Sequence, residues 1–332
     1  MNTEQDPTIY SVAKKAEVSI STVSRVLNAP HLVKKETRDK VLYAIDQLGF
    51  VPKAEAQAYA KKQLGRGGVL TPFFSHPSFV QRMRGVASVL ASNSYELVIY
   101  PVESLNQIYH YLETVQLARR LDGLITMALT IDEETVQRFI RNTFPAAMIE
   151  TQHPSINSVY VDNVAGGRIA GEYLLEKGYT SFGFIGDGDL PDYSLRPSDE
   201  RFDGFSQVLS ENEIELDPDL VIHPTAFNMQ AVIRKILDSP KRPSAIFAAY
   251  DELAMQTMML ARKKGLRIPE DLAVIGFDDL DFAEQFGLTT VSQKLEESGR
   301  LAAELVLGQV KKFSTPVKSI ELSLSIIERE TA

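Results

Sequence analysis

The 332-residue sequence has no cysteine, which excludes disulfides, thiolate metal sites and cysteine nucleophiles and leaves nothing arguing for an oxidising compartment. It has no apolar run near the roughly 18 residues that a membrane span requires. Its start, MNTEQDPTIY, lacks the basic, apolar and small-residue order of a secretion signal, so a cytoplasmic location is expected. The histidines, at 31, 76, 110, 153 and 223, show no metal-ligand spacing, and no Ser/His/Asp set sits on a nucleophile elbow. No catalytic residue, metal or cofactor is expected, and the chain reads as a non-enzyme.

What is present is densest between Thr8 and Asn28, TIYSVAKKAEVSISTVSRVLN. Ile9, Val12, Ala13 and Ala16 form one apolar stripe, and Val23, Val26 and Leu27 a second, with a turn at Ala16-Glu17 between them. This is a helix-turn-helix pattern. Ser19 is placed to cap the second helix, whose opening residues Ile20, Ser21, Thr22, Ser24 and Arg25 suit entry into a major groove.

A third helix is expected over Lys35 to Leu48, with Val41, Leu42, Ile45 and Leu48 at helical spacing and Gly49 ending it. The segment Lys53 to Lys62 is rich in helix formers but too poor in apolar residues to pack alone, and reads as a linker helix that orders on DNA. Residues 1–62 carry ten Lys/Arg against seven Asp/Glu, a net +3, whereas the rest of the chain carries −12. A basic head on an acidic body suggests that only the head meets phosphate.

From Val69 onward, strands alternate with helices. Strands are expected at 68–72, 95–100, 123–127, 146–150 and 158–161, and again at 182–186, 220–223, 245–249 and 273–277. In the second half they alternate with helices over 166–176, 201–211, 229–238 and 251–264. Two successive parallel α/β halves without a glycine-rich phosphate fingerprint define a bilobed body with a ligand site between its lobes. The acidic loop of Asp187, Asp189 and Asp192 lacks the spacing and terminal glutamate of a calcium loop and is expected to line the cleft mouth as a solvated turn.

The blocks SVAKKAEVSISTVSRVLN and TRDKVLYAIDQLGFVP resemble the head of the lactose/galactose repressor family of bacterial transcription factors. The body agrees through VDNVAGGRIAGEYLLEKGY, ERFDGF, AIFAAYDELA, IPEDLAVIGFDD and LTTVSQ. The resemblance implies an all-α helix-turn-helix head on an α/β body of two parallel-sheet subdomains like those of periplasmic binding proteins. The domains would be a headpiece over 1–52, a hinge and linker over 53–66, and an effector-binding and dimerisation unit over 67–332. Within that unit a first lobe would take 67–163 and 292–318, and a second 164–291 and 319–332.

The resemblance places Ile20 and Ser21 at the operator-selecting positions and Arg25 at the base-reading arginine. Thr8, Tyr10, Thr22, Ser24 and Asn28 would touch phosphates, with packing or capping as the other role for Tyr10 and Thr22. Tyr59 stands where the family usually has a leucine that wedges into the minor groove; it would engage DNA or pack against a partner hinge. For the effector, Arg201 and Asp278 would supply a forked cation and a carboxylate, Phe79 and Phe227 would be apolar walls or core, and Glu150 is a further candidate. Tyr250 replaces the family's usual asparagine, which disfavours a plain hexose. Asp162 reads as part of the structure between the lobes.

The function implied is a homodimeric, sequence-specific repressor on near-palindromic operator DNA in a bacterial nucleoid, gated by a carbohydrate-related effector. The chain's end, IIERETA, has no heptad segment, so a coiled-coil tetramer is not expected. A soluble sugar-binding protein would share the body but have no use for residues 8–62. A promoter activator would use the same contacts.

Overall fold

The computed structural model describes residues 7–28, 30–50, 64–117, 120–188, 190–191, 193–225, 227–312 and 314–332. The expected linker helix, with Tyr59, and the acids Asp189 and Asp192 lie outside the described residues.

In the head, α1 (Ile9–Lys15), α2 (Ile20–Asn28) and α3 (Lys35–Leu48) enclose one core of Val12, Val23, Val26, Val41 and Ile45. Glu17 turns the chain between α1 and α2 with φ 55°, and the Val18 amide closes the turn on the Ala13 carbonyl at 3.0 Å. Gly49, at φ 60°, ends α3 in the left-handed conformation that glycine adopts without a Cβ penalty.

The body consists of two six-stranded sheets with the same spatial order. The first contains β1 (Arg66–Thr71), β2 (Glu96–Pro101), β3 (Gly123–Met127), β4 (Ala146–Ile149), β5 (Asn157–Tyr160) and β11 (Ser319–Glu321), arranged β2-β1-β3-β4-β5-β11, all parallel. The second contains β6 (Phe182–Ile185), β7 (Val221–Ile222), β8 (Ala245–Ala248), β9 (Ala273–Asp278), β10 (Thr289–Ser292) and β12 (Ser325–Ile327), arranged β7-β6-β8-β9-β10-β12. Only β12 in it runs antiparallel. The central strands are continuously apolar because helices cover both faces.

The helices are α4 (Pro77–Ser92), α5 (Leu105–Leu117), α6 (Glu133–Arg141), α7 (Asn163–Glu176), α8 (Pro197–Glu211), α9 (Met229–Asp238), α10 (Asp251–Lys263), α11 (Asp281–Gln285) and α12 (Leu295–Lys311). In α12, Ala302, Ala303, Val306 and Leu307 form the stripe that packs on Val69 and Val86 of the first lobe. The chain therefore changes lobes after β5, after β10 and again after β11. The last change, expected at residue 318, falls later: β11 pairs with β5, and Leu322 belongs to the first-lobe core. A three-residue edge strand is too short to show a period.

Each lobe contains a helix pair drawn together through glycine. A Cβ on Gly299 of α12 would lie 1.9 Å from the Arg82 carbonyl oxygen of α4, and one on Gly85 of α4 would lie 2.0 Å from that of Glu296. In the second lobe, a Cβ on Gly167 of α7 would lie 1.9 Å from the Arg201 carbonyl of α8, and one on Gly204 1.9 Å from that of Val164. No other residue permits such an approach.

Where the chain enters β1, the Asp122 carboxylate accepts the amides of Leu64 at 3.0 Å, Gly65 at 2.7 Å and Arg66 at 3.1 Å.

Candidate functional site

The head presents one polar helix face. Thr8 caps α1 in a reciprocal box with Ser11, so its hydroxyl serves the helix start. The Thr22 amide donates to Ser19 Oγ at 3.2 Å, and the Ser19 hydroxyl also lies 2.8 Å from those of Ser21 and Thr22. Ser19 is thus the cap of α2. Ile20, Ser21 and Arg25 are exposed along the outer face of α2, Tyr10 is 68% exposed, and Thr22 and Ser24 are half-buried. Asn28 closes the helix. The first turn of α2 carries no acid, so its positive dipole end meets no like-charge barrier to phosphate.

Behind the head, a cavity of about 310 Å³ opens between the lobes. It is lined by Phe79, Glu150, Arg201, Tyr250 and Asp278, five of the residues expected from sequence. Phe227 is not among them: it is fully exposed in the turn before α9 and is neither a wall nor core. Phe79 packs in the first-lobe core while its ring also lines the cavity. Asp162 accepts the Ala165 amide at 2.9 Å as the cap of α7, a structural role at the lobe junction. Asp187 follows β6 and lines the cavity, as expected of the cleft mouth, but is half-buried rather than solvated.

One polar chain crosses the cleft. Arg82 of α4, 2% exposed, pairs with Glu150 and donates to Gln293 Oε1 at 3.0 Å. The Gln293 amide donates to Asp278, and Asp278 lies 3.8 Å from the Arg201 guanidinium. Arg201 donates to Asn163 Oδ1 at 3.0 Å and to the Ala249 carbonyl at 2.6 Å, and its guanidinium stacks 3.6 Å from the Phe277 ring centre. Burial raises the Asp278 carboxyl to about 6, with Arg201 and Arg82 opposing the rise. Burial also lowers Arg201, against the pull of Asp278.

A second cluster meets at one end. His76 of the first lobe lies 3.3 Å from Glu252 of the second and contacts the Tyr250 ring edge-on at 5.7 Å. Tyr250 hydrogen-bonds Asp187. Burial lowers His76 and raises Glu252 to about 8, so both groups favour their neutral forms. Four non-glycine lining residues have positive φ, Phe73 at 46°, Ala128 at 51°, Glu150 at 70° and Asp278 at 117°. Backbone strain of this kind collects at ligand sites.

Sequence reasoning missed Arg82, Gln293 and His76. Arg82 had a readable signal: it stands three residues after Phe79 on one helix and so shares its face. Gln293 follows β10 at the crossover and had none.

A helix-turn-helix head joined to a two-lobed receptor with a polar cleft defines a transcription regulator that binds DNA and senses a small molecule. Residues 8–53 match the bacterial regulatory proteins of the lacI family, and residues 171–332 match the periplasmic binding protein-like domain. The ribose operon repressor of Halalkalibacterium halodurans is 31% identical over 331 residues, covering 98% of this chain and 96% of that protein. The HTH-type transcriptional repressor PurR of Aliivibrio salmonicida is 28% identical over 332 residues, covering 98% of each. The solved complex of the transcriptional regulator CelR with cellobiose superposes with a TM-score of 0.68 at 26% identity, covering 98% of this chain and all of that one. The chain belongs to the LacI family of bacterial regulatory proteins.

Proposed function

We propose that the chain is a homodimeric repressor of a near-palindromic operator, controlled by a carbohydrate-related effector held between its lobes. The observation that carries this reading is the cavity itself, where residues of both lobes converge with aromatic walls and a continuous polar chain, so that a ligand would bias one lobe arrangement over another. One relative represses a ribose operon and another, CelR, is solved with cellobiose, and both sugars have compatible chemistry.

On the head, Ile20, Ser21 and Arg25 read bases, while Thr8, Tyr10, Ser19, Thr22, Ser24 and Asn28 set register on the backbone. The division into 1–52, 53–66 and 67–332 belongs to the same proposal, with the last lobe change moved to follow β11. A cytoplasmic location suits a DNA partner.

Selection from random duplexes tests the reading. It should return a two-fold site with half-sites about one helical turn apart. Arg25→Ala should remove about 1–3 kcal/mol of discrimination at one base per half-site while leaving salt-dependent binding to random DNA in place. An asymmetric site, or specificity indifferent to Arg25, would refute it.

A further inference from the structure

The cavity's charges are unbalanced. Its lining includes three carboxylates, Glu150, Asp187 and Asp278, against two guanidiniums, Arg82 and Arg201. Both guanidiniums are already engaged: Arg82 by Glu150 and Gln293, Arg201 by Asn163, the Ala249 carbonyl and Asp278. Asp187 makes no ion pair among the described residues; the hydroxyl of Tyr250 is its side-chain hydrogen-bond partner. His76 nearby favours its neutral form.

We infer that Asp187 is a specificity-determining residue that accepts ligand hydroxyls and makes the cleft select an uncharged, hydroxyl-bearing ring over its anionic derivatives, sugar phosphates and sugar acids among them. The inference rests on the carbohydrate reading above and adds the charge class. A hydroxyl donating to a buried carboxylate makes a short, charge-assisted bond, whereas an anion there meets a like charge with no uncommitted cation to offset it. At about 4 Å and an effective dielectric near 20, that repulsion weakens binding roughly a hundred-fold or more. Phe73 and Phe79, edge to face at 6.2 Å, offer an apolar wall to the C–H face of such a ring.

The test is thermal shift and calorimetry on the full chain with matched probes: glucose with glucose 6-phosphate and gluconate, ribose with ribose 5-phosphate, and cellobiose with cellobionate. Wild type should respond to the neutral member of at least one set and bind its anionic partners at least a hundred-fold more weakly. Asp187→Asn should weaken the neutral ligand about ten-fold or more without lowering the unliganded melting temperature, and Asp187→Glu should recover part of the loss. Preference for an anionic member, or unchanged affinity in Asp187→Asn, overturns the inference alone. Silence from every set defeats the carbohydrate reading and the inference with it.

Discussion

Replacing Arg201 with alanine removes more than a ligand contact. The guanidinium donates to Asn163 and to the Ala249 carbonyl, and hydrogen bonds of charged donors contribute about 1.5–3 kcal/mol each. Its stacking on Phe277 at 3.6 Å contributes about 2 kcal/mol when desolvated. Simple addition overshoots, because alanine also relieves the cost of burying the cation. Breaking a buried pair from one side typically costs about 3–5 kcal/mol, and that is the loss expected here. Asp278, 4% exposed and already raised to about 6, would then take up a proton at neutral pH. Urea unfolding followed by circular dichroism measures the loss, and a double-mutant cycle with Asp278→Asn isolates the pair. The double variant should be less destabilised than the sum of the singles by about 2 kcal/mol. A loss under 1 kcal/mol for Arg201→Ala, or simple additivity, would refute the view that this pair holds the second lobe's cleft face together.

Three further outcomes follow from the packing and the cleft. Gly299→Ala should destabilise the body by about 1–3 kcal/mol, since its methyl group would meet the Arg82 carbonyl at 1.9 Å and part α4 from α12. Gly308→Ala in the same helix, with nothing within 4 Å, should instead stabilise by up to about 0.8 kcal/mol, both read by thermal denaturation. Glu252, raised to about 8 from an ordinary 4.5, favours the fold fully below pH 4.5, and that contribution is lost as pH rises through 8. His76, lowered from 6.5, acts in the opposite sense below that value, so Glu252 is read between pH 6.5 and 8, with the neighbouring Asp251, also raised by burial, acting in the same sense as Glu252. Glu252→Gln should flatten the fall in melting temperature across it; an unchanged slope would show that another group titrates there.

Much of the architecture was legible because its signals are local. The stripes of α1 and α2, the cap at Ser19 and the buried strands β3 and β8 each announce themselves within a few residues. Arg201, Asp278 and Tyr250 were legible through family resemblance rather than spacing. What escaped was assembled by the fold. Arg82 and Gln293 are 211 residues apart and meet only because the chain recrosses between lobes. Phe227 misled because an aromatic residue in a turn carries no signal of its direction, and the structure turns it to solvent. The edge strands β11 and β12 span three residues each, less than any pattern needs.

The knot of amides around Asp122 settles which half of the body speaks to the head. With Leu64, Gly65 and Arg66 all bound to one side chain, the polypeptide leaves the first lobe in a fixed direction. Swinging the second lobe alone does not re-aim that exit. An occupied cleft therefore acts on the head through the first lobe, which also holds the third head helix by the pairs of Arg38 with Glu113 and of Asp46 with Arg141.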